Sequence, residues 1–133
     1  MDAQRQRIAA SCLEAAESGR LTFPQIVATL VEAGFESYCV DFRQSQASYF
    51  LADGTSCTLP MPPLDVPVAE AFNTVQVKVA IREAQLLVPG YTYRGFCQKV
   101  AEAGCAFYIV SFTGRRALYV GRTAETHVEL FPR

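Results

Sequence analysis

The chain has no excess of either charge: 12 lysines and arginines stand against 13 aspartates and glutamates, for a formal net charge of −1. A surface that holds nucleic acid or an anionic membrane usually carries a clear basic excess, so neither partner is expected. The balance tilts only locally. From Arg94 onward Arg94, Lys99, Arg115, Arg116, Arg122 and Arg133 outnumber the acidic Glu102, Glu125 and Glu129. Long apolar runs are missing too, and no stretch approaches the roughly 20 residues that a spanning helix needs. The polar opening at residues 1–7 contains no apolar core of a secretory signal. The five cysteines (Cys12, Cys39, Cys57, Cys97 and Cys105) show no CxxC spacing, which removes the zinc ribbon and the dithiol redox motif. Reduced, mostly buried thiols in a cytoplasmic protein are the expectation, with no cofactor. There is a single histidine, His127.

What is present is an internal repeat. When residues 22–62 are set against 92–132, an offset of 70, ten pairs are identical: Thr22/Thr92, Glu32/Glu102, Ala33/Ala103, Gly34/Gly104, Tyr38/Tyr108, Val40/Val110, Phe42/Phe112, Ala47/Ala117, Tyr49/Tyr119 and Pro62/Pro132. Half of the chain is apolar and its 133 residues can bury one core, so the two copies are expected within a single domain. The copies run over about residues 4–62 and 74–132. A proline-rich linker, 60–73, joins them, with residues 68–72 read as a short helical turn.

Each identity has a structural reason. Thr22 opens a T-x-x-Q box with Gln25, in which side chains satisfy free backbone N–H groups at a helix start. Pro24 falls in the first turn, where a missing N–H costs little. Ile26, Val27, Leu30 and Val31 share one helical stripe, and Gly34 can take the left-handed conformation that ends the helix. The second copy repeats this with Thr92, Phe96, Cys97, Val100 and Gly104, but Gly95 stands where the box wants glutamine, so its cap should be weaker. Strands follow at 37–42 and 107–112, where Tyr38, Val40 and Phe42, like Tyr108, Val110 and Phe112, share a face. Second strands at 47–51 and 117–121 and third strands at 55–59 and 125–130 complete each unit, with Asp53 and Gly54 as a hairpin signal. Ile8, Cys12, Leu13 and Ala16 mark an earlier helix. Val75, Val77, Val79 and Ile81 alternate like a strand, but the repeat and the length of the segment favour a helix over 74–87. The expected fold is α+β, a two-layer duplication of a helix-helix-three-strand unit. Its two halves meet across a pseudo-two-fold in a sheet of about six mainly antiparallel strands, with helices on one face.

The T-[FY]-x-x helix start, the A-G-[FC] corner, Y-x-V-x-F and the closing G-R-x-x-E-x-H-V-E-x-F-P together resemble a small bacterial family whose members are often labelled "phage envelope protein". The closing motif stands here as Gly121, Arg122, Glu125, His127, Val128, Glu129, Phe131 and Pro132, and the resemblance covers nearly the whole chain. It implies a prophage association and a phage-related structural role, and it brings no catalytic residues.

Three groups of residues suggest chemistry. Glu125, His127 and Glu129 would share one face of a strand, where they could hold a metal or orient His127 as a general base; the alternative is a charged strand face that discourages edge pairing. Cys57 is the counterpart of His127, and a nearby dyad would make a Cys57–His127 nucleophilic pair. Arg115, Arg116 and Arg122, with Arg94, could line an anion site or simply be solvated turns. Tyr49 and Tyr119, among several repeated aromatics, could line a pocket at the junction of the copies or pack in the core. The first expectation for function is a non-enzymatic module that binds a small molecule, a peptide or a second copy of itself through a sheet edge or face; the positive mean hydropathy agrees with self-association. The second is a small hydrolase or metal-dependent enzyme centred on His127.

Overall fold

The computed structural model describes residues 1–132. Two helices, α1 (Ala3–Ser18) and α2 (Phe23–Glu32), lead into β1 (Phe35–Asp41), β2 (Gln46–Leu51) and β3 (Ser56–Pro60). The order then repeats as α3 (Thr74–Leu86), α4 (Tyr93–Glu102), β4 (Cys105–Ser111), β5 (Arg116–Gly121) and β6 (Thr126–Leu130). All six strands form one antiparallel sheet in the order β3-β2-β1-β4-β5-β6. The fold is the α+β duplication that the repeat implies.

The two copies join through β1 and β4, and their register defines the dyad. Cys39 pairs with Ile109, Ser37 with Ser111 and Asp41 with Phe107. Cys39 and Ile109 are repeat counterparts, so the local two-fold passes through this pair. Bonds flanking the ladder obey the same symmetry, since Phe42 N donates to Ala106 O and Phe112 N donates to Glu36 O, both at 3.0 Å. The likeness reaches single loop bonds. Met61 N donates to Ser45 O at 2.8 Å, and Phe131 N donates to Arg115 O at 2.9 Å.

The helix starts follow their sequences. Thr22 N donates to Gln25 Oε1 at 2.9 Å, whereas α4 has only Gly95 N donating to Thr92 Oγ1 at 3.0 Å. Alternation then buries one side of the sheet: Tyr38, Val40, Ala47, Tyr49, Tyr108, Val110, Ala117 and Tyr119 are all buried. Phe96 of α4 lies edge-on to Tyr108 and Tyr119 on this side, and Leu30 of α2 and Val77 of α3 are fully buried in the same core. Within it Tyr38 stacks on Tyr49, Tyr108 stacks on Tyr119, and the Tyr93 and Tyr108 hydroxyls meet at 2.6 Å. Phe42 and Phe112 fall in the turns just beyond β1 and β4, not on the strands.

The linker differs from expectation. Residues 68–72 form no helical turn and run as bent, extended chain along the second copy. Ala69 N donates to Ala101 O at 3.0 Å and Asn73 N to Ala103 O at 2.7 Å, so this segment bonds one carbonyl of the last turn of α4 and that of its cap residue. This close approach makes the two repeated glycines unequal. A Cβ on Gly34 would meet only the Arg5 side chain at 3.7 Å, but on Gly104 it would collide with the Ala71 carbonyl oxygen. Both have φ near +95° (+96 and +97), so Gly34→Ala should cost about 1 kcal/mol in strain alone. Gly104→Ala adds a backbone clash and should cost more than about 3 kcal/mol in urea unfolding.

Burial also sets the alkaline limit of stability. It holds the Tyr38, Tyr49, Tyr93, Tyr108 and Tyr119 phenols above their ordinary range and pushes the Cys97 and Cys105 thiols up to about 12. Each is an acid that the folded chain keeps protonated at a pH where the unfolded chain would release the proton. Their contribution is complete below the unfolded values and is lost as pH climbs above them, at about 1.4 kcal/mol per pH unit for each group. Stability should therefore fall steeply above pH ~9–10, with phenolate absorbance rising cooperatively with unfolding. Gradual titration of a folded chain would contradict this.

Candidate functional site

The outermost strands carry the residues singled out for chemistry. His127 lies opposite Tyr119 and Glu129 opposite Ala117, so both point to the helix side of edge strand β6. The His127 ring lies nearly parallel to Tyr119, with centroids 6.4 Å apart, and its side chain is 13 % exposed. Its Nε2 stands 3.1 Å from Glu129 Oε1. A carboxylate only accepts, so Nε2 carries the proton in this bond and Nδ1 is left as the other ring nitrogen. Gln85 Nε2 of α3 donates to the second oxygen of Glu129 at 3.4 Å. An oriented imidazole therefore exists.

The expected trio does not assemble. Glu125 precedes β6, in the turn after β5, where its exposed carboxylate accepts from Thr123 Oγ1 at 2.7 Å. Its backbone still follows the β5–β6 register, accepting from Gly121 N at 2.8 Å, but its side chain turns back to Thr123 and does not join the other two. Among the described residues, no three His, Cys, Asp or Glu side chains stand together as a metal-holding group. The Cys57–His127 pair is excluded by topology. Cys57 lies opposite Tyr49 on β3, and β3 and β6 are opposite edges of the sheet. Five strand spacings of ~4.8 Å separate them by about 24 Å. The dyad falls between β1 and β4, so it places third strands as far apart as the fold allows.

The arginines do not converge either. Arg115 sits over the Phe131 ring with its guanidinium carbon 5.8 Å from the centroid, and Arg116 Nε donates to Gly114 O at 3.1 Å, both beside the β4–β5 turn. Arg122 is at the opposite end of β5, donating to Val68 O at 3.1 Å. Arg94 donates to Pro63 O at 2.9 Å and pairs with Asp65 at 3.2 Å. Arg94, Arg116 and Arg122 thus each hold a loop carbonyl. Tyr49 and Tyr119 are buried core residues, 4 % and 6 % exposed.

Two hollows lie away from the junction, where β1 and β4 form a continuous ladder. One, of about 390 Å³, runs between α3 and the β6 edge and is lined by Val75, Lys78, Val79, Arg82, Gln85 and Glu129. Another, of about 400 Å³, lies between α3 and the end of α4 and includes Gln76, Glu83, Lys99 and Glu102. Both are shallow and mostly rimmed by exposed side chains.

A feature that spacing alone did not single out lies on the other face of the sheet. Cross-strand partners there form rows across β1, β4, β5 and β6: Asp41, Phe107, Val120, Thr126; then Cys39, Ile109, Leu118, Val128; then Ser37, Ser111, Arg116, Leu130. Phe107, Ile109, Leu118, Val120, Val128 and Leu130 make one contiguous apolar patch, half-buried in its interior and exposed at β6, where Val128 is 45 % and Leu130 58 % exposed. The first copy has Ser37, Cys39, Ser48, Phe50, Thr58 and Pro60 at the equivalent positions. There the Ser48 and Thr58 hydroxyls hydrogen-bond to each other at 2.9 Å. The signal was available in the repeat alignment as the pairs that differ, but it needs the register to show that they share a face.

The fold and this face define an α+β domain made by duplication, with one helix-covered face and one asymmetric, partly apolar face. A scan against models of protein families and a search of curated proteins gave no match to the chain. Among the described residues no helix is long and apolar enough to cross a membrane.

Burial separates the thiols by reactivity. Cys97 and Cys105 are buried, with pKa values pushed up to about 12, while Cys57 is half-buried and only modestly raised by desolvation. The thiolate is the reactive form. At pH 8 a maleimide should label Cys57 within minutes and leave Cys97 and Cys105 unlabelled until the chain is unfolded, as peptide mass mapping would show.

Proposed function

We propose that this protein is a non-enzymatic interaction module working through the open sheet face of its second copy. One observation carries this reading. On the helix side, the copies keep Tyr38/Tyr108, Val40/Val110, Ala47/Ala117 and Tyr49/Tyr119 identical, while on the open side Ser37, Ser48 and Thr58 are replaced by Phe107, Leu118 and Val128. Both copies solve the same folding problem, and the first does so with Ser37, Ser48 and Thr58, so folding does not require large apolar groups at these three outer positions. Extra apolar surface gathered into one patch is what a docking partner uses. The His127–Glu129 pair supports the enzymatic reading less well, because among the described residues no third His, Cys, Asp or Glu joins it as a ligand and Glu129 is shared with Gln85.

A photo-crosslinking amino acid placed at position 118, and separately at its counterpart 48, tests the reading in cells. Position 118 should give a discrete covalent adduct and position 48 should not. No adduct at 118, or equal adducts at both sites, would overturn the proposal.

A further inference from the structure

The patch is contiguous, and it carries one charge of each sign. Among the paired residues of β1 to β6 that point outward, the charged ones are Asp41 on β1 and Arg116 on β5. Asp41 stands one strand to one side of Ile109 and one row up, while Arg116 stands one strand to the other side and one row down. Ile109 is therefore the midpoint of the line joining the two charges.

We infer that the occupant of this face is a second copy of the same chain, packed sheet on sheet about a two-fold axis through Ile109; this rests on the reading of the face as an interaction surface. An axis lying in the interface, perpendicular to the Asp41–Arg116 line, brings each Asp41 over the partner's Arg116. The same rotation, with strands ~4.8 Å apart and residues ~3.4 Å apart, sets Val120 beside the partner's Val128. Leu118 falls between the partner's Phe107 and Ile109. Phe107, Ile109, Leu118, Val120 and Val128 meet one another across the axis, Leu130 falls at the rim beside the partner's Asp41, and the two ion pairs form symmetrically, as an isologous contact requires. Strands of the two sheets cross at roughly 70° on this grid, nearer the orthogonal than the aligned class of sheet packing. At that angle two faces each about 17 Å wide along their strands overlap over roughly 300 Å² in projection, against about 800 Å² per partner in a standard interface. An overlap this small makes the dimer a weak, reversible one.

Charge reversal distinguishes this arrangement from any other. Asp41→Lys alone sets an ammonium against the partner's Arg116, and Arg116→Asp alone places two carboxylates together. An equimolar mixture of the two variants restores an attractive pairing in the heterodimer. Sedimentation velocity on the purified chain should show wild-type dimers, each single variant associating about tenfold or more weakly, and the mixture regaining most of the wild-type affinity.

Asp41 also accepts from Arg43 N and Gln44 N in the β1–β2 turn, at 2.9 and 3.0 Å, so each variant's melting curve is recorded first. Should Asp41→Lys fail to fold, Leu118→Glu leaves that turn intact and must give a monomer that melts close to wild type. A dimer that survives Leu118→Glu, single variants that associate like wild type, or a mixture no tighter than its components each overturn the arrangement. A wild-type chain monomeric at several hundred micromolar sinks the second copy as occupant; a crosslink from position 118 to a different protein would then leave the interaction face itself standing.

Discussion

The pairing of β1 with β4 is the contact on which the rest of this molecule depends. Neither three-stranded meander has a partner for its first strand within its own copy other than its second strand, so each exposes one row of free N–H and C=O groups. Joining the two rows removes both edges at once and moves β3 and β6 to the rims. It also fixes the dyad at Cys39 and Ile109, which brings Tyr38 and Tyr108 into edge-to-face contact across the junction. The core is thus continuous across the two copies, and Tyr38, Tyr49, Tyr108 and Tyr119 form its centre.

That core constrains one face of the sheet and leaves the other free. Under the helices, each tyrosine must fit between ring neighbours and find a place for its hydroxyl, as Tyr93 and Tyr108 do for each other. Few substitutions meet both demands, and the two copies agree there. On the outer face, a side chain has only its row neighbours and water to satisfy, so serine and leucine both fit the same backbone. The duplication therefore acts as an internal comparison that separates residues held by folding from residues free to answer to a partner.

The helix side of β6 illustrates a different limit. His127 and Glu129 replace Cys57 and Leu59 of the first copy and are held by Tyr119 and Gln85, so the change from apolar to polar was accommodated without an orphaned buried group. Spacing correctly put this pair on one side of a strand. It could not place the Glu125 carboxylate, because that side chain turns back to Thr123 in the preceding turn. Nor could it measure the gap to Cys57, since sequence order says which strands exist and not which lie at the edges.

The sequence by itself determined the repeating unit: glycine at the helix ends, threonine at the starts, alternation along the strands, and a helix over the β-branched segment that begins at Thr74. These are local matters, settled within a few residues by backbone sterics and hydrogen bonding. Only the tertiary structure decided where the linker runs, why Gly104 tolerates less than Gly34, and which apolar residues outside the core become neighbours. Those outcomes depend on register between strands distant in the chain. A shift of one residue would turn Phe107, Leu118 and Val128 to the opposite side of the sheet. Their common face is thus a property of the packed sheet, fixed by the buried tyrosines on its reverse.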